Sequence, residues 1–189
     1  MSSNHYEKEF KREVFSNEQL RNQTFECCTF KNCSFINADF YGTIFEDCDF
    51  DTCDFSQAKL HEIALRNVKF VSCKMIGLTF ESINPFRSKF GFEKTILDYS
   101  SFYNLALTTV TFSECSQIGC DFSGANLSKV NFKESILTDA IFNQTNLTDT
   151  DFRTAQGFRI NPILNKLKGA KFVKENVLGL LLDFNIKIE

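Results

Sequence analysis

The sequence predicts an all-β solenoid, a chain wound into a four-sided coil, and three observations predict it. Phe25, Phe30, Phe35, Phe40, Phe45, Phe50 and Phe55 recur at every fifth residue. A second period, of twenty, runs through the small residues two places ahead of them. Cys28, Cys33, Ala38 and Thr43 are echoed by Cys48, Cys53, Ala58 and Ile63, and Cys73 again follows Cys53. The composition, 23 Phe and no Trp in 189 residues, suits one repeated core slot better than a mixed interior.

A period of five fits neither regular structure. On a helix each fifth side chain steps round by roughly 140°, and on a strand an odd spacing sends consecutive side chains to opposite faces. All the rings aim at one core if the backbone turns once per repeat, and the twenty-residue echo closes the circuit after four sides. Like residues then stack one rung apart.

Phe10, Phe15 and Leu20 already keep the register, but Lys8, Glu13 and Glu18 hold their small slots. Charges are not buried unpaired, so the first rung is expected to be an irregular polar lid, with residues 1–9 loose. From Phe25 the centres run unbroken through Leu65, Phe70 and Met75 to Phe80. The register then slips by two residues near 83–92, with Pro85 at a centre; a turn at Asn84–Pro85 is expected, eased by Gly91, and is read as a bend more than a binding loop. Beyond it Phe and Leu alternate: Phe92, Leu97, Phe102, Leu107, Phe112, then Phe122, Phe132, Phe142 and Phe152 with leucines between. Phe columns should therefore face Phe columns. Gln117 is the one polar centre, where Ile118 is expected to take its place. After Phe152 the pattern changes. Asn161–Pro162 reads as an N-cap and first helical position opening a helix through Lys168, Gly169 stops it, and Phe172 restores one side. Lys174–Phe184 then reads as a second helix, with Val177, Leu178, Leu181 and Leu182 as its apolar residues, and 185–189 as a small strand. The division is 1–157 for the coil and 158–189 for the tail.

Seven of the eight cysteines (all but Cys27) fall in the small slot that Ala, Ser, Thr and Val fill elsewhere. They read as buried free thiols serving as small hydrophobes. Near-parallel stacked Cβ vectors make poor disulfides, and a spacing of five is wrong for zinc. No metal or other cofactor is expected.

The stretch "TFECCTFKNCSFINADF", a small residue, a polar one, a central Phe or Leu, then two polar positions, resembles the pentapeptide-repeat family over about Phe10 to Phe152. The resemblance implies a right-handed quadrilateral β-helix. "VFSNEQLRNQTF" leading into "ECCTFKNCSF", and the ending of Gly157, "NP", "GAKF" and a Leu-rich segment, resemble the quinolone-resistance branch (Qnr-type proteins and their mycobacterial relatives). That branch implies a rod paired end to end through its tail, here Val177, Leu178, Leu181, Leu182, Phe184, Ile186 and Ile188. It also implies mimicry of duplex DNA on DNA gyrase and topoisomerase IV. With only the two-residue slip, the chain is more like the loop-free members, which inhibit or shield gyrase.

Charge decides where such mimicry could lie. The net charge of -3 gives no bulk attraction to nucleic acid or membrane. Residues 98–152 hold seven acids against Lys129 and Lys133, while 63–94 carry six Lys and Arg against Glu81 and Glu93. At a rung spacing of about 4.8 Å the acidic stretch spans roughly 13 Å. Duplex DNA carries about eight charges over that length, so the belt is somewhat more than half as dense. Glu114, Asp121, Glu134, Asp139, Asp149 and Asp151, with Glu46, Asp47 and Asp49 nearer the N-terminus, are the candidate partner-binding acids. Along the columns Glu114 and Glu134 reinforce each other, while Glu26–Glu46–Arg66 and Asp49–Lys69–Lys89 neutralise. No Gly-rich phosphate loop or catalytic constellation is present, and the two histidines fall in the N-terminal segment (His5) and at an outward position (His61). A non-enzymatic cytoplasmic binding protein without small-molecule substrate is expected; the alternative is a scaffold or immunity protein with an unrelated partner.

Overall fold

A computed structural model of the chain describes residues 4–184, 186 and 187. Short parallel strands make the walls of a coil: β1 Asn4–Tyr6, β2 Glu9–Lys11, β3 Thr24–Glu26, β4 Thr29–Lys31, β5 Ile44–Glu46, β6 Asp49–Asp51, β7 Ala64–Val71, β8 Asn84–Glu93, β9 Thr111–Ser113 and β10 Phe132–Lys133. Each pairs with strands one rung away, for example Phe25↔Phe45 and Phe30↔Phe50. Isolated parallel bridges complete the other two walls, such as Ser34↔Asp54 and Asp39↔Lys59. We label the sides by their centres: A through Phe25 and Phe45, B through Phe30 and Phe50, C through Phe35 and Phe55, and D through Leu20 and Phe40.

The predicted rings form internal files. On side B, Phe10, Phe30, Phe50, Phe70, Phe92, Phe112, Phe132, Phe152 and Phe172 stack with successive centroids 4.6–5.5 Å apart. Side D carries Phe80, Phe102, Phe122 and Phe142 in the same way. Offset stacks of this kind contribute about 0.5–1.5 kcal/mol per pair beyond burial.

Corners explain the outlier cysteine. The second residue after each centre turns the chain through the left-handed region: Asn22, Cys27, Asn32, Asn37, Gly42 and Asp47 have φ of 52–67°. Asn and Gly suit this conformation, and Cys27 is exposed because it occupies such a corner.

The small slot has a role beyond size. At most positions where it holds Thr, Ser or Cys, its side chain donates to the backbone carbonyl of a centre one rung back and one side over. Thr43 Oγ1 reaches Leu20 O at 2.7 Å, Thr150 Oγ1 reaches Leu127 O at 2.8 Å, and the Cys48 and Cys53 thiols reach Phe25 O and Phe30 O at 3.4 Å. Cysteine here is a small hydrophobe that also donates. Burial pushes the Cys48 and Cys120 thiols up to about 12, so they stay protonated and able to donate.

Several expectations are corrected. Residues 4–9 are not loose: β1 pairs with β3 and His5 stacks on Phe25 at 4.5 Å, filling a centre slot; Met1–Ser3 lie outside the described residues. Three sides of the first coil are regular, with Glu13 exposed, and a one-turn helix α1, Asn17–Leu20, makes the fourth. Gln19 Oε1 accepts from the Ser16 N–H at 2.8 Å, half of a capping box. The turn expected at Asn84–Pro85 is present, with Phe86 N donating to Asn84 Oδ1 at 2.9 Å, but it lies within β8 and does not interrupt the strand. The slip is a bulge within β8, between Ala64↔Asn84 and Val68↔Phe90. Pro85 is exposed, and Phe90 is buried in the slot that Val68 and Val110 fill in neighbouring rungs. Gln117 is itself fully buried, and its amide N and O have no partner among the described residues; Ile118 is half-buried.

The expected helix over 162–168 is absent. Asn161 caps a tight turn by accepting from Ile163 N at 2.9 Å, and Lys166 bridges to Asn146. The open edge of the preceding rung offers unpaired backbone groups, and a short isolated helix cannot outcompete them. The coil therefore continues past 157 to Phe172. In place of the helix expected over Lys174–Phe184, a turn at 174–176 leads into two 3-10 turns, Val177–Leu180 and Leu182–Phe184. Of the expected terminal strand, residues 186 and 187 have no regular structure, and Asn185, Ile188 and Glu189 lie outside the described residues.

Candidate functional site

The outward positions carry the chemistry, because the inward ones are filled by the ring files. Asp47 and Asp149 sit on the A–B edge, Glu46 on side A, and Asp49 and Asp151 on side B. Glu114 and Glu134 lie one rung apart on the B–C edge, following the register pair Ser113↔Lys133. Asp121 is on side D and Asp139 on the C–D edge. The nine acids thus form a broken girdle: seven lie on sides A and B or on the A–B and B–C edges, and Asp121 and Asp139 lie on side D and the C–D edge. Two clusters draw together, Glu46–Asp47–Asp49 and Glu114–Glu134, while Asp121 and Asp139 stand apart from both.

Several of these carboxylates have partners. Glu46 accepts from Arg66 at 3.0 Å, Asp47 from the Asn67 amide at 2.6 Å, and Lys94 lies 3.9 Å from Glu114. Asp151 pairs with Arg153 at 2.7 Å, and that guanidinium holds its carboxyl below the usual carboxylate range. Asp121 accepts from its own Ser123 N–H. Exposed pairs of this kind contribute little stability, but they lower the free negative charge. One expected column is wrong: Lys69 stacks on Gly91, and the bulge moves Lys89 beside Arg66. Sequence phase alone did not show which strand absorbs the two residues.

The tail lies across the C-terminal end of the coil. Asn176 Nδ2 donates to Phe152 O at 2.8 Å, Ile160 N donates to Gly179 O at 3.0 Å, and Arg159 pairs with Asp183. Gly179 fits against Phe158, where a Cβ would fall 2.5 Å from the Phe158 carbonyl oxygen. Leu178, Leu182, Phe184 and Ile186 are exposed, Val177 and Leu181 half-buried, and Ile188 is outside the described residues. Exposed Ile163 and Leu164, which sequence reasoning assigned to a helix, belong to the same end.

Among the described residues no group of His, Cys, Asp or Glu could hold a metal ion, and no helix is long and apolar enough to cross a membrane. What the fold defines is a parallel β-solenoid with a filled core and a polar outer surface. The chain belongs to the pentapeptide-repeat family: the model "Pentapeptide repeat region" matches residues 23–91 and 43–117, and "Pentapeptide repeats (8 copies)" matches 118–153. No curated protein sequence matches the chain. Among solved structures it is similar to a trypsin-treated variant of QnrB1, a plasmid-mediated fluoroquinolone resistance protein, at TM-score 0.65 and 20% identity, covering 98% of this chain and 100% of that one. Full-length QnrB1 gives 0.56 and 18%, covering 97% and 100%. HetL, involved in heterocyst differentiation regulation in the cyanobacterium Nostoc sp. strain PCC 7120, gives 0.50 and 17%, covering 88% and 84%. At these identities the likeness is one of fold.

Proposed function

We propose that this protein is a non-enzymatic, cytoplasmic binder of a type II topoisomerase, DNA gyrase or topoisomerase IV. Its carboxylate girdle would occupy the enzyme's DNA-binding surface. The observation that carries the reading is the girdle itself on a rod that matches QnrB1 over its full length. Two copies joined through Leu178, Leu182 and Phe184 would lengthen the rod, since so much exposed apolar surface at one end suits a symmetric contact. A gyrase supercoiling assay tests the reading. The purified protein should inhibit or protect the enzyme, and substituting Glu114, Asp121, Glu134, Asp139 and Asp151 by Lys should abolish the effect without unfolding the coil. Absence of inhibition, protection and binding at low salt would refute it.

One observation favours the other reading, a scaffold or immunity protein for an unrelated partner. The basic stretch 63–94 interrupts the girdle, and a uniform polyanion mimic would not need it.

A further inference from the structure

Side A holds a feature that the acidic girdle does not use. The two extra residues bow Pro85–Ser88 away from Leu65, and β8 pairs with the following rung only from Gly91↔Thr111 onward. Between the bulge and Ala106 the wall is parted. A pocket of about 110 Å³ leads inward there to buried Phe90 and Leu107. The Ser88 hydroxyl lines this pocket, buried and without a hydrogen-bond partner among the described residues. Such a group is costly unless something supplies the missing bond.

The outer face of the bulge beside this pocket is cationic, with Arg87 and Lys89 flanking Ser88 in the chain and Arg66 on the preceding rung. Phe86 projects from the bulge, 61% exposed, with the Arg66 and Arg87 guanidinium carbons 5.8 and 5.4 Å from its ring centre. Lys89 is the register partner of Arg66 on the adjacent rung, and like charges placed so oppose each other. Glu46 offsets Arg66, but Arg87 and Lys89 make no ion pair among the described residues.

We propose that this parting is a docking site for a short acidic segment of a partner protein. One aliphatic side chain enters the pocket, a polar group of the segment meets Ser88, and carboxylates meet Arg66, Arg87 and Lys89. Charge complementarity selects the acid. The stretches on either side of the basic band, 46–62 and 98–152, are both strongly acidic, so a long polyanion such as a nucleic acid is repelled where a short segment is not. The pocket is apolar and has room for a side chain, not a base. This site stands independently of the topoisomerase reading.

The test uses the full chain and a fluorescein-labelled peptide of glutamates flanking one leucine, followed by fluorescence anisotropy at low salt. Saturable binding is expected. It should weaken by about tenfold or more in the Arg87→Glu, Lys89→Glu double variant, in Ala106→Phe, which fills the pocket, and when serine replaces the peptide's leucine. Arg12→Glu, a charge reversal at an exposed corner of the first rung, should leave it unchanged. Melting curves check that each variant is folded. No binding, indifference to the charge reversals or to pocket filling, or tighter binding of a single-stranded thymidine oligonucleotide would each overturn the proposal.

Discussion

The coil before the bulge and the coil after it keep one cross-section with two different fillings. From Phe25 to Phe55 every centre is a phenylalanine, and consecutive rings on adjacent sides lie 5.0–5.9 Å apart, edge to face except for the tilted Phe35–Phe40 pair. Between Phe92 and Phe152 only sides B and D carry rings at their centres, which meet across the core at 5.8–6.4 Å, with Leu97, Leu127, Leu137 and Leu147 on the other two. Slots on side B change in compensation, from Cys28 and Cys48 to Val110 and Val130. The cross-section is therefore set by the parallel ladder and the corner residues, and the core needs only the right volume within it.

The largest effect that would break this comparison is the removal of a ring. Phe50→Ala and Phe132→Ala should each cost roughly 3–5 kcal/mol in urea unfolding. The Phe50 change should cost more, because its ring meets neighbours on adjacent sides as well as along its file; equal costs would erase the distinction between the fillings. A smaller effect, of opposite sign, concerns the one centre in the second half that fits neither filling. Gln117→Leu removes a buried, unpartnered amide and should stabilise by about 1–3 kcal/mol; a loss would mean that the amide has a partner.

The smallest effect belongs to the outer surface of the second half. The Arg153 bond depresses the folded pKa of Asp151, and burial only partly opposes it. The stabilisation is then present above the unfolded carboxyl's pKa and is lost as pH falls through the depressed folded value. Asp151→Asn should lower the melting temperature slightly at neutral pH and not at all in strong acid. An equal shift at both would assign the loss to packing.

Much of this was legible in the residues. The fivefold and twentyfold periods placed Phe30, Phe50 and Phe70 in one internal file, and the alternation after Phe92 placed rings opposite rings. The slip of two was legible too, but its form was not. That depended on Phe90 fitting a slot meant for a small side chain, which no local pattern expresses. Asn161–Pro162 misled for the opposite reason: locally it is a sound helix start, and only the exposed edge of the preceding rung explains why a strand-like side wins. The donor role of the small slot did have a signal, since Cys, Ser and Thr share it and all can donate. Of the acids, the columns were readable from phase up to the bulge, where Asp49–Lys69–Lys89 failed, whereas pairings such as Asp151 with Arg153 and Asp47 with Asn67 were fixed only by side-chain geometry.

Continuity of the interior past the bulge can be measured directly through the contact between the Phe70 and Phe92 rings, whose centroids lie 5.4 Å apart. Nuclear Overhauser spectra on selectively labelled phenylalanine should show Phe70 in contact with Phe50 and Phe92. A Phe70 ring stacked on Phe90 in place of Phe92 would mean that the twenty-residue register runs straight through, with no parted wall on side A.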